Sequence, residues 1–127
     1  MTITPIYAGL LGLVFLVLSI RVIRVRRGER VSLGDGGSKI LLRRQRAHGN
    51  FAEYTPLVLI LMALAEIQSA PFLLLHLTGL CLLCGRLSHA YALGGESRPF
   101  QFRVAGMYLT FAALLCGSVA NLLLPFS

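Results

Sequence analysis

The chain has 127 residues, 56% of them hydrophobic and only 13% charged, with a net charge of +7. A soluble domain this small has too little interior to hide so much apolar side chain, and runs close to the roughly 20 helical residues that cross a hydrocarbon core recur along it. The composition excludes an ordinary soluble enzyme and points to one polytopic membrane domain over residues 1–127.

The charge is unevenly placed. Nine of the twelve Lys and Arg residues lie between Arg21 and Arg46, where Glu29 and Asp35 are the only acids, so this segment alone carries the whole net charge. Basic residues gathered between two apolar runs are what the positive-inside rule predicts for a cytoplasmic loop. The segment has no interleaved aromatics and no recognisable binding motif, so nucleic acid is not an expected partner.

In chain order, the first helix is predicted over about 5–26, opened by Thr4-Pro5, a cap followed by a proline tolerated in the first turn. Its Arg residues follow the apolar run instead of preceding it, and there is no small-residue cleavage site. It therefore reads as a retained span with the N-terminus outside the cytoplasm, not as a signal peptide. Gly34-Asp35-Gly36-Gly37 forms a turn; it lacks the Gly-Lys-Ser/Thr ending and the preceding strand of a phosphate-binding loop. Ser38 caps a second helix over about 38–68, basic in its first three turns and almost wholly apolar from Leu57 to Ala65. Within it Pro56 removes one donor and crowds the Ala52 carbonyl, so a kink and a freed acceptor are expected beside Glu53.

Gln68-Ser69-Ala70-Pro71 is a short uncharged turn that leads into a third helix over about 71–93, stopped by Gly94-Gly95. The fourth helix, about 99–124, ends before Pro125. On it Ala112, Cys116 and Ala120, and likewise Ala113 and Gly117, are four apart, a small-residue face on which a neighbouring helix can approach closely. The fold class is all-α: a four-transmembrane-helix bundle with both termini on the non-cytoplasmic side. Its two cytoplasmic loops bring the polar ends of helices two, three and four together.

The polar residues of that end need a purpose. At helical spacing Arg46, Asn50 and Glu53 fall at i, i+4 and i+7 with Tyr54 beside them, so a cation, an amide and a carboxylate line one face, suited to a small zwitterionic ligand. Charges inside spans cost about 3 kcal/mol or more at the centre, which singles out Glu53, Arg86 and Arg103. Arg86 matches Glu53 in depth and is read first as its partner in a structural ion pair, or as snorkelling to the interface; His89 follows on the same face. His76 reads as a packing histidine, Glu66 as a carboxylate reaching water, and Tyr7, Tyr91 and Tyr108 as interfacial aromatics. Cys81 and Cys84 form a Cys-x-x-Cys within an apolar run and, with Cys116, read as soft packing residues; no metal site is expected.

With these features in hand, the sequence resembles the MAPEG family, the membrane-associated proteins in eicosanoid and glutathione metabolism. The residues that carry the resemblance are Arg46-Ala-His48-Gly-Asn50-Phe-Ala-Glu53-Tyr54-Thr-Pro56, Gly85-Arg86-Leu-Ser-His89 and Gln101-Phe-Arg103. Arg30 to Gly37 looks most like the family's small bacterial, YecN-like branch. The resemblance covers essentially the whole chain. It implies a homotrimeric bundle in a bacterial inner membrane, with glutathione as co-substrate between neighbouring subunits toward the cytoplasmic face. It also implies a transferase or peroxidase acting on a hydrophobic small molecule. The glutathione contacts it implies are Arg46, His48, Asn50, Glu53, Tyr54, Arg86 and His89, with Arg103 the catalytic residue beside the sulfur. Leu93 stands where some family enzymes carry a tyrosine four residues after the histidine. The alternative reading is a non-catalytic membrane protein whose basic first loop binds anionic lipid or a partner.

Overall fold

A computed structural model describes all residues, 1–127, as four long helices, α1 (Ile3–Glu29), α2 (Lys39–Ile67), α3 (Phe72–Ala92) and α4 (Phe100–Leu123), with a closing 3₁₀ turn over Leu124–Phe126. Each long helix is long and apolar enough to cross a membrane, so the chain is the all-α, four-transmembrane-helix bundle that its composition predicts. α1 packs on α2 and α3, and α4 on α3 and α2, which puts α1 and α4 at opposite corners. A core of Leu11, Leu18, Phe51, Val58, Met62, Leu82 and Ala113 fills the centre. Large apolar side chains such as Leu13, Val17, Leu77 and Leu115 point outward, the arrangement expected where the outer solvent is lipid.

The helix ends follow from local chemistry. The amides opening α1 have no side-chain cap from their own segment; instead Glu66, at the far end of α2, accepts from Thr2 N at 2.5 Å, Ile3 N at 2.7 Å and Thr4 N at 2.7 Å. The expectation that Glu66 simply reaches water is thus corrected: its carboxylate accepts from three amides at the positive end of α1, a cap supplied from another span. Between α1 and α2, Gly36 has φ +56°, and a Cβ there would stand 2.6 Å from Val31 Cγ2, so the turn needs glycine twice over. Ser38 Oγ then accepts from Leu41 N at 3.2 Å, the N-cap read from sequence. α2 continues unbroken through Pro56.

The C-terminus of α3 collects much of the basic segment. Arg21 Nη1 donates to Ala90 O at 3.1 Å, Arg98 Nη1 to Tyr91 O at 3.1 Å, Arg43 Nη2 to Ala92 O at 3.1 Å and Arg44 Nη2 to Gly94 O at 3.5 Å. Four guanidinium groups from three parts of the chain thereby cover the negative end of one helix, where cations are favoured.

α3 and α4 pack most intimately, through glycine. A Cβ on Gly106 would lie 2.7 Å from Gly85 O and 2.8 Å from His89 N, so the two backbones meet directly. Gly106, Thr110, Ala113, Gly117 and Ala120 form the buried stripe of α4. Ala113, Gly117 and Ala120 belong to the small-residue face foreseen from sequence, whereas Ala112 and Cys116 turn outward.

Candidate functional site

The close approach at Gly85 and Gly106 sets the depth at which Arg86 is held. It is the largest of the fully buried side chains, 2% exposed. From α3 its guanidinium reaches α2 and α4 together: Nη1 donates to Asn50 Oδ1, Nη2 donates to Thr110 Oγ1 at 2.7 Å and lies 3.5 Å from Met107 Sδ. Thr110 in turn donates to Gly106 O at 2.8 Å. Thr110 Oγ1 is therefore fixed as an acceptor toward the arginine, and one cation ties three helices.

The Arg86–Glu53 ion pair expected from matched depth does not form. Glu53 lies 3.7 Å from Arg46 Nη1, on the outward side of α2, with the two side chains 55% and 53% exposed. The helical geometry explains the difference. Asn50 sits nearest the core side of the Arg46–Asn50–Glu53 row and meets the arginine, while Arg46 and Glu53, one turn to either side, are rotated away from α3. Exposed charges of this kind are stabilised little by each other and remain available to a ligand.

His89, 3% exposed, lies under the Gly106 contact within the electrostatic reach of Arg86, Arg103 and Arg46. Tyr54 is half-buried and meets Phe111 of α4 edge to face, with ring centroids 5.6 Å apart. Phe111 belongs to an open groove of about 410 Å³ on α4, lined also by Phe100, Arg103, Val104, Met107 and Tyr108. Arg103 is its one charged group, with its guanidinium carbon 6.0 Å from the Phe100 ring centre. Met107 joins the two regions, since its sulfur contacts Arg86 and its side chain walls the groove.

The structure thus brings Arg46, Asn50, Glu53, Tyr54, Arg86, His89 and Arg103 to the same end of the bundle, on α2, α3 and α4. It does not bring His48 with them. His48 projects from the opposite side of α2, stacks on Phe15 of α1 at 4.7 Å and pairs through Nε2 with Ser19 Oγ at 3.2 Å. Tyr91 is also engaged elsewhere, edge to face on Phe102 at 5.1 Å and under the Arg98 guanidinium at 4.2 Å, while Leu93 is buried. Met107 and Thr110, which position the arginine, were not singled out from sequence. Their only sequence signal is the Gly106–Thr110 spacing, which puts both on the α4 face toward Gly85-Arg86.

His76, at the other end, shares a 3.0 Å hydrogen bond with Tyr7 Oη and is the satisfied packing histidine read from sequence. The three cysteines are free, and no cluster of metal-binding side chains forms.

Four spans and a polar cluster at one end, built on a buried arginine, define a small helical membrane protein. The MAPEG family profile matches residues 4–123, and the chain belongs to that family. Among its relatives are the inner membrane protein YecN of Escherichia coli strain K12 and the protein of the same name from Escherichia coli O6:H1. Each is 40% identical over 120 residues, which cover 94% of this chain and 90% of the relative. No solved structure matches.

Proposed function

We propose that the protein binds glutathione on the outward face of α2 and uses its thiol on lipophilic electrophiles, as a membrane glutathione transferase or peroxidase of the inner membrane. The observation that carries this reading is the exposed Arg46–Glu53 pair, 3.7 Å apart, standing at the same end of the bundle as an apolar groove whose one charge is Arg103.

Glutathione bears two carboxylates and one ammonium group. Glu53 suits the ammonium, and the planar guanidinium of Arg46 suits a carboxylate by paired hydrogen bonds. Asn50 and Arg86 act from behind: Arg86 is too buried to receive much of the ligand and instead fixes the Asn50 amide. A thiol attacks only as thiolate, and a neighbouring guanidinium favours that form. Arg103 has this role. With its proton released to solvent, the sulfur attacks the electrophilic carbon of a molecule lying in the Phe100–Phe111 groove, forming the thioether as the leaving group departs. The groove opens where lipid would lie, so such molecules reach it from the bilayer.

Because Arg46 and Glu53 point away from their own bundle, a homotrimer in which a second subunit covers this face completes the site in our reading. By the positive-inside rule the basic loops favour a cytoplasmic position for this end in our reading, on the side where glutathione is supplied. Calorimetric titration of glutathione into the detergent-solubilised protein tests the proposal. Binding in the millimolar range or tighter is expected, weakened about tenfold by Glu53→Gln. Absence of heat at millimolar glutathione overturns it.

A further inference from the structure

On the far side of the bundle from Arg103, α1 and α3 enclose a groove of about 300 Å³ walled by Leu13, Val14, Val17, Leu18, Leu87 and Ala90, with Arg21 at one end. Leu13, Val17 and Leu87 are 63%, 56% and 49% exposed, so the groove opens outward. Arg21 donates through Nη1 to Ala90 O, but its Nε and Nη2 are shielded from solvent and have no partner. Around it Arg43, Arg44 and Arg98 hold neighbouring carbonyls of the same helix end, and Nε of Arg43 and of Arg44 is likewise buried without a partner. None of the four meets a carboxylate, since the chain's one ion pair joins Arg46 to Glu53.

Buried donors on a charged group that lack acceptors are costly, and the accumulated positive charge is more than one helix terminus offsets. We infer that this groove holds an anionic phospholipid, with an acyl chain along Leu13–Leu18 and Leu87 and its phosphate drawn to the Arg21 end by the unneutralised positive charge there. The dimensions agree. From Leu13 to Arg21 the helix advances ~12 Å at 1.5 Å per residue, close to the ~15 Å hydrocarbon depth of one leaflet, so Arg21 stands at headgroup level when the groove lies among the tails. Charge also favours lipid over a second copy of the chain. Of the five acids in the sequence, Glu66 serves the α1 amides and Glu53 serves Arg46, and Glu29, Asp35 and Glu96 lie at or beyond helix ends. This inference is independent of glutathione binding, which uses the α2–α4 face.

Native mass spectrometry of the detergent-purified protein, with phosphatidylglycerol and phosphatidylcholine of identical chains, tests it. Wild type is expected to retain phosphatidylglycerol about fivefold better, the weight of one basic residue at an anionic surface. Arg21→Gln removes that preference, and Val17→Trp, which fills the groove from its exposed wall and leaves the Arg21–Ala90 bond, removes the bound lipid. Arg27→Gln, an exposed charge-matched control, keeps the wild-type pattern. Equal retention of the two lipids by wild type overturns the inference. So does an Arg27→Gln loss equal to that of Arg21→Gln, which would mean diffuse surface charge. Val17→Trp dissociating an oligomer while lipid stays bound would put a second copy in the groove and overturn it too.

Discussion

Replacing Thr110 by valine keeps the shape of a buried α4 side chain and deletes one oxygen. That oxygen is 2.7 Å from Arg86 Nη2, and the arginine is 2% exposed with Nε already lacking a partner, so the guanidinium has no water to turn to. A hydrogen bond to a charged group contributes about 1.5–3 kcal/mol net, whereas polar contacts between spans average about 0.6 kcal/mol in a membrane protein. The site is buried among three helices, so a loss of about 2 kcal/mol is expected for Thr110→Val. Arg86→Met removes the charge itself. Thr110 keeps its bond to Gly106 O, and only Asn50 loses its partner, so this variant is expected to lose less stability than Thr110→Val. The double variant is expected to match Arg86→Met alone, because valine then faces methionine instead of a charge. Reversible denaturation by sodium dodecyl sulfate in mixed micelles measures all three. If Thr110→Val falls within about 0.3 kcal/mol of wild type, or if the double variant is the sum of the singles, the arginine is not held as described.

Further outcomes follow from other contacts. Glu66→Ala deprives three amides of their cap and is expected to lose about 1–2 kcal/mol, with faster hydrogen exchange confined to the first turn of α1. Gly106→Ala drives a Cβ against the α3 backbone and is expected to lose about 1–3 kcal/mol and weaken glutathione binding, whereas Gly12→Ala, with open space at that position, is neutral in the same melting assay. Arg46→Ala is expected to raise the glutathione dissociation constant about tenfold while leaving the melting temperature unchanged, since its pair with Glu53 is solvent-exposed. His48→Ala, by contrast, is expected to lower stability through lost contacts with Phe15 and Ser19 and to leave glutathione affinity within about twofold, as titration on the variants would show.

The spans, the glycine turns and the Ser38 cap were legible because each depends on residues adjacent in sequence. Helical spacing likewise placed Arg46, Asn50 and Glu53 on one face. Spacing could not say how far that face turns from the bundle axis, and this angle decides that Asn50 meets Arg86 while Glu53 does not. The same limitation let His48 be grouped with its neighbours in the motif, although the resemblance runs along the chain and the side chain points to α1. The capping of α1 by Glu66 and of α3 by Arg21, Arg43, Arg44 and Arg98 joins positions up to 69 residues apart. Such pairings follow from how the spans pack, not from any local pattern.

In the proposed function Arg103 stabilises a glutathione thiolate at the end of the bundle where Arg46 and Glu53 would hold the peptide. Ultraviolet difference absorbance of the thiolate, recorded as a pH titration of the glutathione complex of wild type and Arg103→Ala, measures it directly. Wild type is expected to lower the pH of thiolate formation relative to free glutathione, and Arg103→Ala to restore it while glutathione still binds. A thiolate titration unchanged by the wild-type protein, or shifted equally by Arg103→Ala, would rule out Arg103 as the group that stabilises the thiolate.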